Sequence, residues 1–90
     1  MPTVEEMKVY LGIDGSYLDS LLADFIGLAK DLIEKVLRYP LADFEIIPPT
    51  IKETGKYIVC AYYNNRSNTN AQEVENMVAL MLSEYRKKEF

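Results

Sequence analysis

Residues 16–39 read SYLDSLLADFIGLAKDLIEKVLRY, and this stretch has the clearest helical pattern in the chain. Plotted at about 100° per residue, its apolar side chains collect on one half of a helix and its charged side chains on the other. The apolar half holds Leu18, Leu21, Leu22, Phe25, Ile26, Leu28, Ala29, Leu32, Ile33, Val36 and Leu37. Ser16 is placed to cap the first turn, with Asp19 three residues later, and Pro40 ends the run. Because one neighbour cannot cover half of a helix, we expect several other helices to pack along this one.

Three further stretches carry the signals of helices. Thr3 and Glu6 form a capping box before a short helix at residues 4–11. A pair of prolines precedes a third helix, since proline is tolerated in the first turn. Asn70 is a good cap for a last helix at residues 71–85, whose inward face holds Val74, Met77, Val78, Met81, Leu82 and Tyr85. The prediction is an all-α fold: a single domain of 90 residues, built as a small bundle of three main helices plus one short N-terminal helix.

The segment at residues 40–49 joins the long helix to the third helix and has no clear helical or strand pattern. Phe44, Ile46 and Ile47 are its apolar residues. The sequence allows either an ordered loop packed on the bundle or a short extended segment.

The composition excludes several classes of function. The chain has no histidine and a single cysteine, so histidine-based catalysis and an intramolecular disulfide are both absent. No nucleophile–base pair, phosphate-binding glycine loop or metal-binding motif occurs. The longest apolar runs, at residues 57–63 and 77–82, are far shorter than the roughly 18 residues of a membrane span, and the acidic start has no signal-peptide core. We expect a soluble protein without enzymatic activity, metal, cofactor or membrane contact.

Charge is distributed unevenly along the chain. Residues 1–49 carry four Lys/Arg against nine Asp/Glu, whereas residues 50–90 carry six against five. The two halves therefore have net charges of −5 and +1. An acidic domain without a basic stripe is a poor candidate for binding the phosphate backbone of nucleic acid.

Apolar residues outside the inward faces indicate association with another chain. Tyr57, Cys60 and Tyr63 project away from the inward face of the third helix. Gly27 interrupts the polar face of the long helix near Ala23, where small residues leave room for an aromatic ring. We interpret these five residues as a candidate subunit interface, with the tyrosine side of one subunit against Ala23 and Gly27 of the next. The alternatives for the tyrosines are core packing and a base-stacking platform for nucleic acid, and the alternative for Gly27 is a tolerated helix glycine.

Four stretches, in order along the chain, are similar to one protein family. They read VEEMKVYLGIDG at 4–15, LDSLL at 18–22 with the apolar positions that follow, PPTIK at 48–52 with AYYNNR at 61–66, and MLSEYR at 81–86. Together they resemble the small head–tail connector (adaptor) proteins of long-tailed phages and prophages.

The resemblance implies an all-α structural protein without catalytic turnover or cofactor. Such proteins form a ring, typically of twelve subunits, beneath the portal protein, and they join the head to the tail after DNA packaging. The implied partners are copies of the chain itself, the portal protein and a tail-completion or head-closure protein. Packaged DNA would pass through the acidic ring without specific binding. The implied location is the virion connector, assembled in the cytoplasm of the bacterial host.

Two other function classes are compatible with a small helical chain. One is a helical regulator that binds DNA or a partner protein, and the other is an accessory subunit of an enzyme. A regulator needs an outward-facing recognition helix with Arg, Lys, Asn or Gln. The polar stretch at residues 64–70 is the nearest feature, and it lies between helices.

Overall fold

Helices form nearly all the regular structure in the part of the chain that the computed structural model describes, residues 1–64 and 70–85. The four α-helices are α1 (Val4–Leu11), α2 (Asp19–Leu37), α3 (Pro49–Asn64) and α4 (Ala71–Met81), and a 3-10 helix covers Leu41–Asp43. No strand occurs in these two described ranges. The predicted all-α bundle of three main helices and one short N-terminal helix is confirmed.

The long helix α2 is the centre of the bundle. It packs against all three other α-helices and most extensively against α3. Its buried side chains are Leu22, Ala29, Ile33, Val36 and Leu37, which belong to the predicted apolar half. Leu28 is an exception, because 51% of it is exposed. It points about 100° away from its neighbour Ala29, beyond the part of the helix that the other helices cover.

The start of α2 differs from the prediction. Leu18, not Ser16, is the N-cap residue, and no side chain caps this end. The Asp19 carboxylate lies 3.1 Å from the Lys8 ammonium, so it is engaged with α1 and does not reach back along the chain. The backbone carbonyl of Ser16 instead accepts a hydrogen bond from the Asp19 N–H within the turn. The predicted cap at Ser16 was therefore wrong.

The end of α2 lies close to the predicted stop. Arg38 takes a left-handed conformation with φ of 69°, and its N–H donates to the Glu34 carbonyl. Tyr39 precedes Pro40, and a residue before proline disfavours the helical conformation. Both features stop the helix at Leu37.

The caps of α1 and α4 agree with the sequence. Thr3 and Glu6 make both hydrogen bonds of the capping box. The Asn70 side chain accepts a hydrogen bond from the Glu73 N–H at 3.1 Å. Much of the polar stretch at residues 64–70 lies outside the described residues.

The last helix is shorter than predicted. It ends at Met81, and residues 82–85 form tight turns in which the Tyr85 N–H donates to the Leu82 carbonyl. Val74, Val78 and Leu82 are buried as expected, whereas Met77 is 41% exposed. Met77 was therefore wrongly assigned to the inward face.

The segment at residues 40–49 is an ordered loop packed on the bundle, the first of the two alternatives. Leu41 is buried, and its backbone N–H donates to the Glu34 carboxylate at 2.8 Å. The Phe44 ring lies 5.4 Å from the Tyr39 ring and 6.2 Å from the Tyr85 ring. These aromatic contacts join the loop to the residues that follow α2 and α4.

Candidate subunit-contact surfaces

Ala23 and Gly27 lie one turn apart on the exposed side of α2. Gly27 is about 200° around the helix from the buried Ala29. A Cβ atom added at Gly27 would meet no atom within 4 Å. Packing within the subunit therefore does not require glycine here, although alanine would favour the helix by about 1 kcal/mol. The space above Gly27 is open to a group from outside the subunit.

Tyr57, Cys60 and Tyr63 form a stripe along α3, and all three are half-buried. Tyr57 and Tyr63 pack against the hydrophobic core, and the Cys60 sulfur accepts a hydrogen bond from the Asn64 amide at 3.1 Å. The expectation that these side chains project away from the bundle is therefore right only in part. Each keeps part of its surface accessible, which a contact with another chain needs.

The subunit does not bring the two halves of the predicted interface together. The Tyr62 ring of α3 stacks on Phe25 of α2, with 6.0 Å between the ring centroids, so these two helices meet through their inner sides. Gly27 lies on the outer side of α2, and no side chain of α3 reaches it. Two separate patches that face different directions are what a head-to-tail contact between subunits requires.

Two ion pairs attach α1 to the rest of the bundle. Lys8 pairs with Asp19 at the start of α2, and Lys52 of α3 lies 2.6 Å from the Glu6 carboxylate. The Lys52 hydrogen bond and the Thr3 backbone N–H lower the pKa of Glu6 from 4.5 to about 2. The side chain of Met7 is fully buried in the hydrophobic core and completes the attachment.

An open groove lies at the end of α1, in a position that the sequence analysis did not single out. It has a volume of about 580 Å³ and is lined by Glu5, Lys8, Val9, Gly12, Ile13, Asp14 and Gly15. We call it the α1 groove. Gly12 and Gly15 have positive φ angles of 70° and 80°, so the turn that forms the groove depends on glycine. Val9, at its rim, is 84% exposed.

The charged surface is predominantly acidic. Lys8, Lys35, Lys52 and Lys56 each form an ion pair with a carboxylate. Among the described residues, the carboxylates outside these pairs are Glu5, Asp14, Asp24, Asp31, Asp43, Glu45, Glu73 and Glu84, together with Glu34, which accepts the Leu41 hydrogen bond. Most of the positive charge in the described ranges is thus already matched, and the unmatched charge is mainly negative.

Several large apolar side chains are exposed outside the α1 groove. Tyr10 and Leu80, which lie off the inward stripes of their helices in the sequence, are 57% and 71% exposed. Ile46 and Ile47, in the loop before α3, are also exposed. Single exposed apolar side chains are common on folded proteins, so these residues do not by themselves indicate a contact with another chain.

No helix within residues 1–64 and 70–85 is long and apolar enough to cross a membrane. The same ranges contain no group of three or more Cys, Asp or Glu side chains arranged to hold a metal ion.

One protein family matches almost the entire chain. The family model of the phage gp6-like head-tail connector protein covers residues 1–88 of the 90. The chain belongs to this family. The connector family is a structural one and is not known for enzymatic activity, and its members are components of the virion. The resemblance seen in the four sequence stretches is thus confirmed. A search of curated proteins and a search of solved structures gave no match for this connector.

Proposed function

We propose that this connector assembles into a ring of twelve subunits between the portal and the tail of a phage or prophage. The family match over residues 1–88 carries this proposal, because it spans the whole bundle rather than one motif. The portal protein binds one side of the ring, and a tail-completion or head-closure protein binds the other. Assembly takes place in the cytoplasm of the bacterial host.

The subunit contact joins Tyr57, Cys60 and Tyr63 of one copy to Ala23 and Gly27 of the next. The open space above Gly27 supports this pairing, since an aromatic edge can approach the α2 backbone there. The accessible parts of Tyr57 and Tyr63 supply such an edge. Tyrosine is enriched at protein interfaces, which also favours this assignment.

Packaged DNA passes through the ring without specific binding. The acidic exterior supports this part of the proposal, because like charge disfavours adhesion of the phosphate backbone. Lys52 and Lys56 are the lysines nearest the α3 tyrosines in sequence, and they already pair with Glu6 and Glu53. A regulator that binds DNA would need such cations free for phosphate. Salt-sensitive binding of free duplex DNA at submicromolar concentration would favour the regulator instead.

The experiment for the subunit contact is the Gly27→Arg variant. It should keep its helical circular dichroism, because the site is open within the subunit. It should fail to assemble in sedimentation at high concentration and fail to complement a connector-deficient phage. Gly27→Ala is the control for loss of the glycine, and Glu45→Arg, at an exposed position, is the control for an added arginine. Both variants should assemble. Normal assembly and complementation by Gly27→Arg would refute the contact.

A further inference from the structure

We propose that the α1 groove binds residues 86–90 of a neighbouring copy of this chain. The inference rests on the proposed ring, which supplies the neighbour, and it adds a second contact to the one at Gly27. The charge of the groove and the position of residue 85 favour a second copy of the chain as the occupant.

The α1 groove fits a short cationic segment that carries an apolar side chain. Glu5 and Asp14 place two carboxylates on its wall, and neither is in an ion pair among the described residues. The only lysine of the groove, Lys8, is already matched by Asp19. Val9 and Ile13 add apolar surface.

Residues 86–90 read RKKEF and have the complementary chemistry. They lie outside the described residues. Arg86–Lys88 is the only run of three consecutive cations in the sequence, and Phe90 supplies a large apolar group. The cations would pair with the carboxylates of Glu5 and Asp14. The phenyl ring would pack against the apolar side chains of Val9 and Ile13. Charge pairing of this kind sets register and partner choice between chains.

Tyr85, the residue before the segment, and the groove are at opposite ends of α2. Tyr39 lies two residues beyond the end of α2, and its hydroxyl donates a hydrogen bond to the Tyr85 carbonyl. The groove is held at the other end by the Lys8–Asp19 ion pair. The 18 residue steps from Asp19 to Leu37 correspond to about 27 Å along the helix.

Five residues cannot cover that distance within one subunit. Fully extended, residues 86–90 reach at most about 18 Å from Tyr85. Only a neighbouring copy can therefore offer its groove to them. Because each subunit has one segment and one groove at opposite ends, the contact is head-to-tail and links each subunit to two neighbours. A head-to-tail contact of this kind generates a ring when its rotation closes.

Charge reversal tests the contact in the assembled protein. The groove variant is Glu5→Lys with Asp14→Lys, and the segment variant is Arg86→Glu, Lys87→Glu and Lys88→Glu. Each variant alone should keep its helical circular dichroism and stay monomeric where the wild type assembles. Their equimolar mixture should assemble again, because each segment then meets a groove of opposite charge. One chain that carries both sets of substitutions should assemble for the same reason. Assembly of either variant alone, or no recovery in the mixture and the doubly reversed chain, would overturn the proposal.

A peptide experiment separates this contact from the ring itself. A fluorescein-labelled peptide of residues 82–90 should bind the monomeric wild type saturably, as measured by anisotropy, and at least tenfold more weakly to the groove variant. A control peptide with three glutamates at 86–88 should not bind. Binding with no ring in the presence of portal would refute the ring but leave the contact standing. Equal binding to both proteins, or none to the wild type, would overturn the contact and point to a portal or tail segment as the occupant.

Discussion

The hydroxyl of Tyr39 donates a hydrogen bond to the backbone carbonyl of Tyr85, 46 residues further along the chain. Phe44 contacts both rings, so this end of the bundle is closed by an aromatic cluster. The cluster fixes the position of Tyr85, and the proposed contact between subunits depends on that position.

Tyr39→Phe removes this hydrogen bond and keeps the ring. The free energy of unfolding should fall by about 1 kcal/mol, the usual net value of one hydrogen bond. Urea denaturation measures the change. Tyr17→Phe is the matched control, because Tyr17 is 78% exposed, and it should leave the unfolding free energy nearly unchanged. Equal stability of the two variants would show that the Tyr39–Tyr85 bond does not stabilise the fold.

The two helix glycines should respond to alanine with opposite signs. A Cβ at Gly55 would lie 2.7 Å from Pro2 Cδ and 2.9 Å from Met1 Cε, so the N-terminal segment must move. Gly55→Ala should therefore destabilise the fold by about 1–2 kcal/mol, as overpacking usually does. Gly27→Ala, in open space, should stabilise it by up to about 1 kcal/mol. Thermal and urea unfolding of both variants check this, and a stabilising Gly55→Ala would contradict the close approach.

Core substitutions should separate the two sides of α2. Leu22→Asp and Ile33→Asp each place a charge where the native side chain is fully buried, which costs several kcal/mol and should unfold the domain. Leu28→Asp is the control on the same helix, because Leu28 is half-exposed, and it should remain folded. Circular dichroism of the three proteins distinguishes these outcomes. If Leu28→Asp unfolded while Ile33→Asp stayed folded, the assignment of the buried side of α2 would be contradicted.

The Glu6–Lys52 pair should make stability depend on pH below neutrality. The pKa of Glu6 is lowered from 4.5 to about 2, so the pair's contribution is complete above about pH 5 and is lost as the pH falls toward 2. Lys52→Gln removes the largest cause of that shift. Between pH 5 and 2 the variant should therefore lose less stability than the wild type, with the difference reduced by salt. Parallel pH curves for the two proteins would contradict the lowered pKa.

Local signals in the sequence predicted most of the fold. The Thr3–Glu6 box and the Asn70 cap act over three residues, and the structure keeps both. The start of α2 was not predictable in the same way, because the Asp19 carboxylate forms an ion pair with Lys8 of another helix. Periodicity placed the apolar half of α2 correctly but could not show how far neighbouring helices cover it, so Leu28 was misassigned.

The α1 groove and the role of Gly55 depend on contacts between distant parts of the chain. The sequence shows the turn glycines Gly12 and Gly15 but not the cavity that the turn forms against Glu5 and Val9. It also shows Gly55 on the inward face of α3, but only the folded chain brings Pro2 onto it. The candidate interface at Gly27 was found because a glycine breaks a regular helical pattern, which is a local signal.

Native mass spectrometry of the wild-type connector mixed with its own portal shows whether the connector forms a portal-bound ring. We expect a discrete complex in which one closed connector ring, of twelve copies, is bound to each portal assembly. Connector that stays monomeric beside intact portal, at concentrations up to those reached in infected cells, would contradict it.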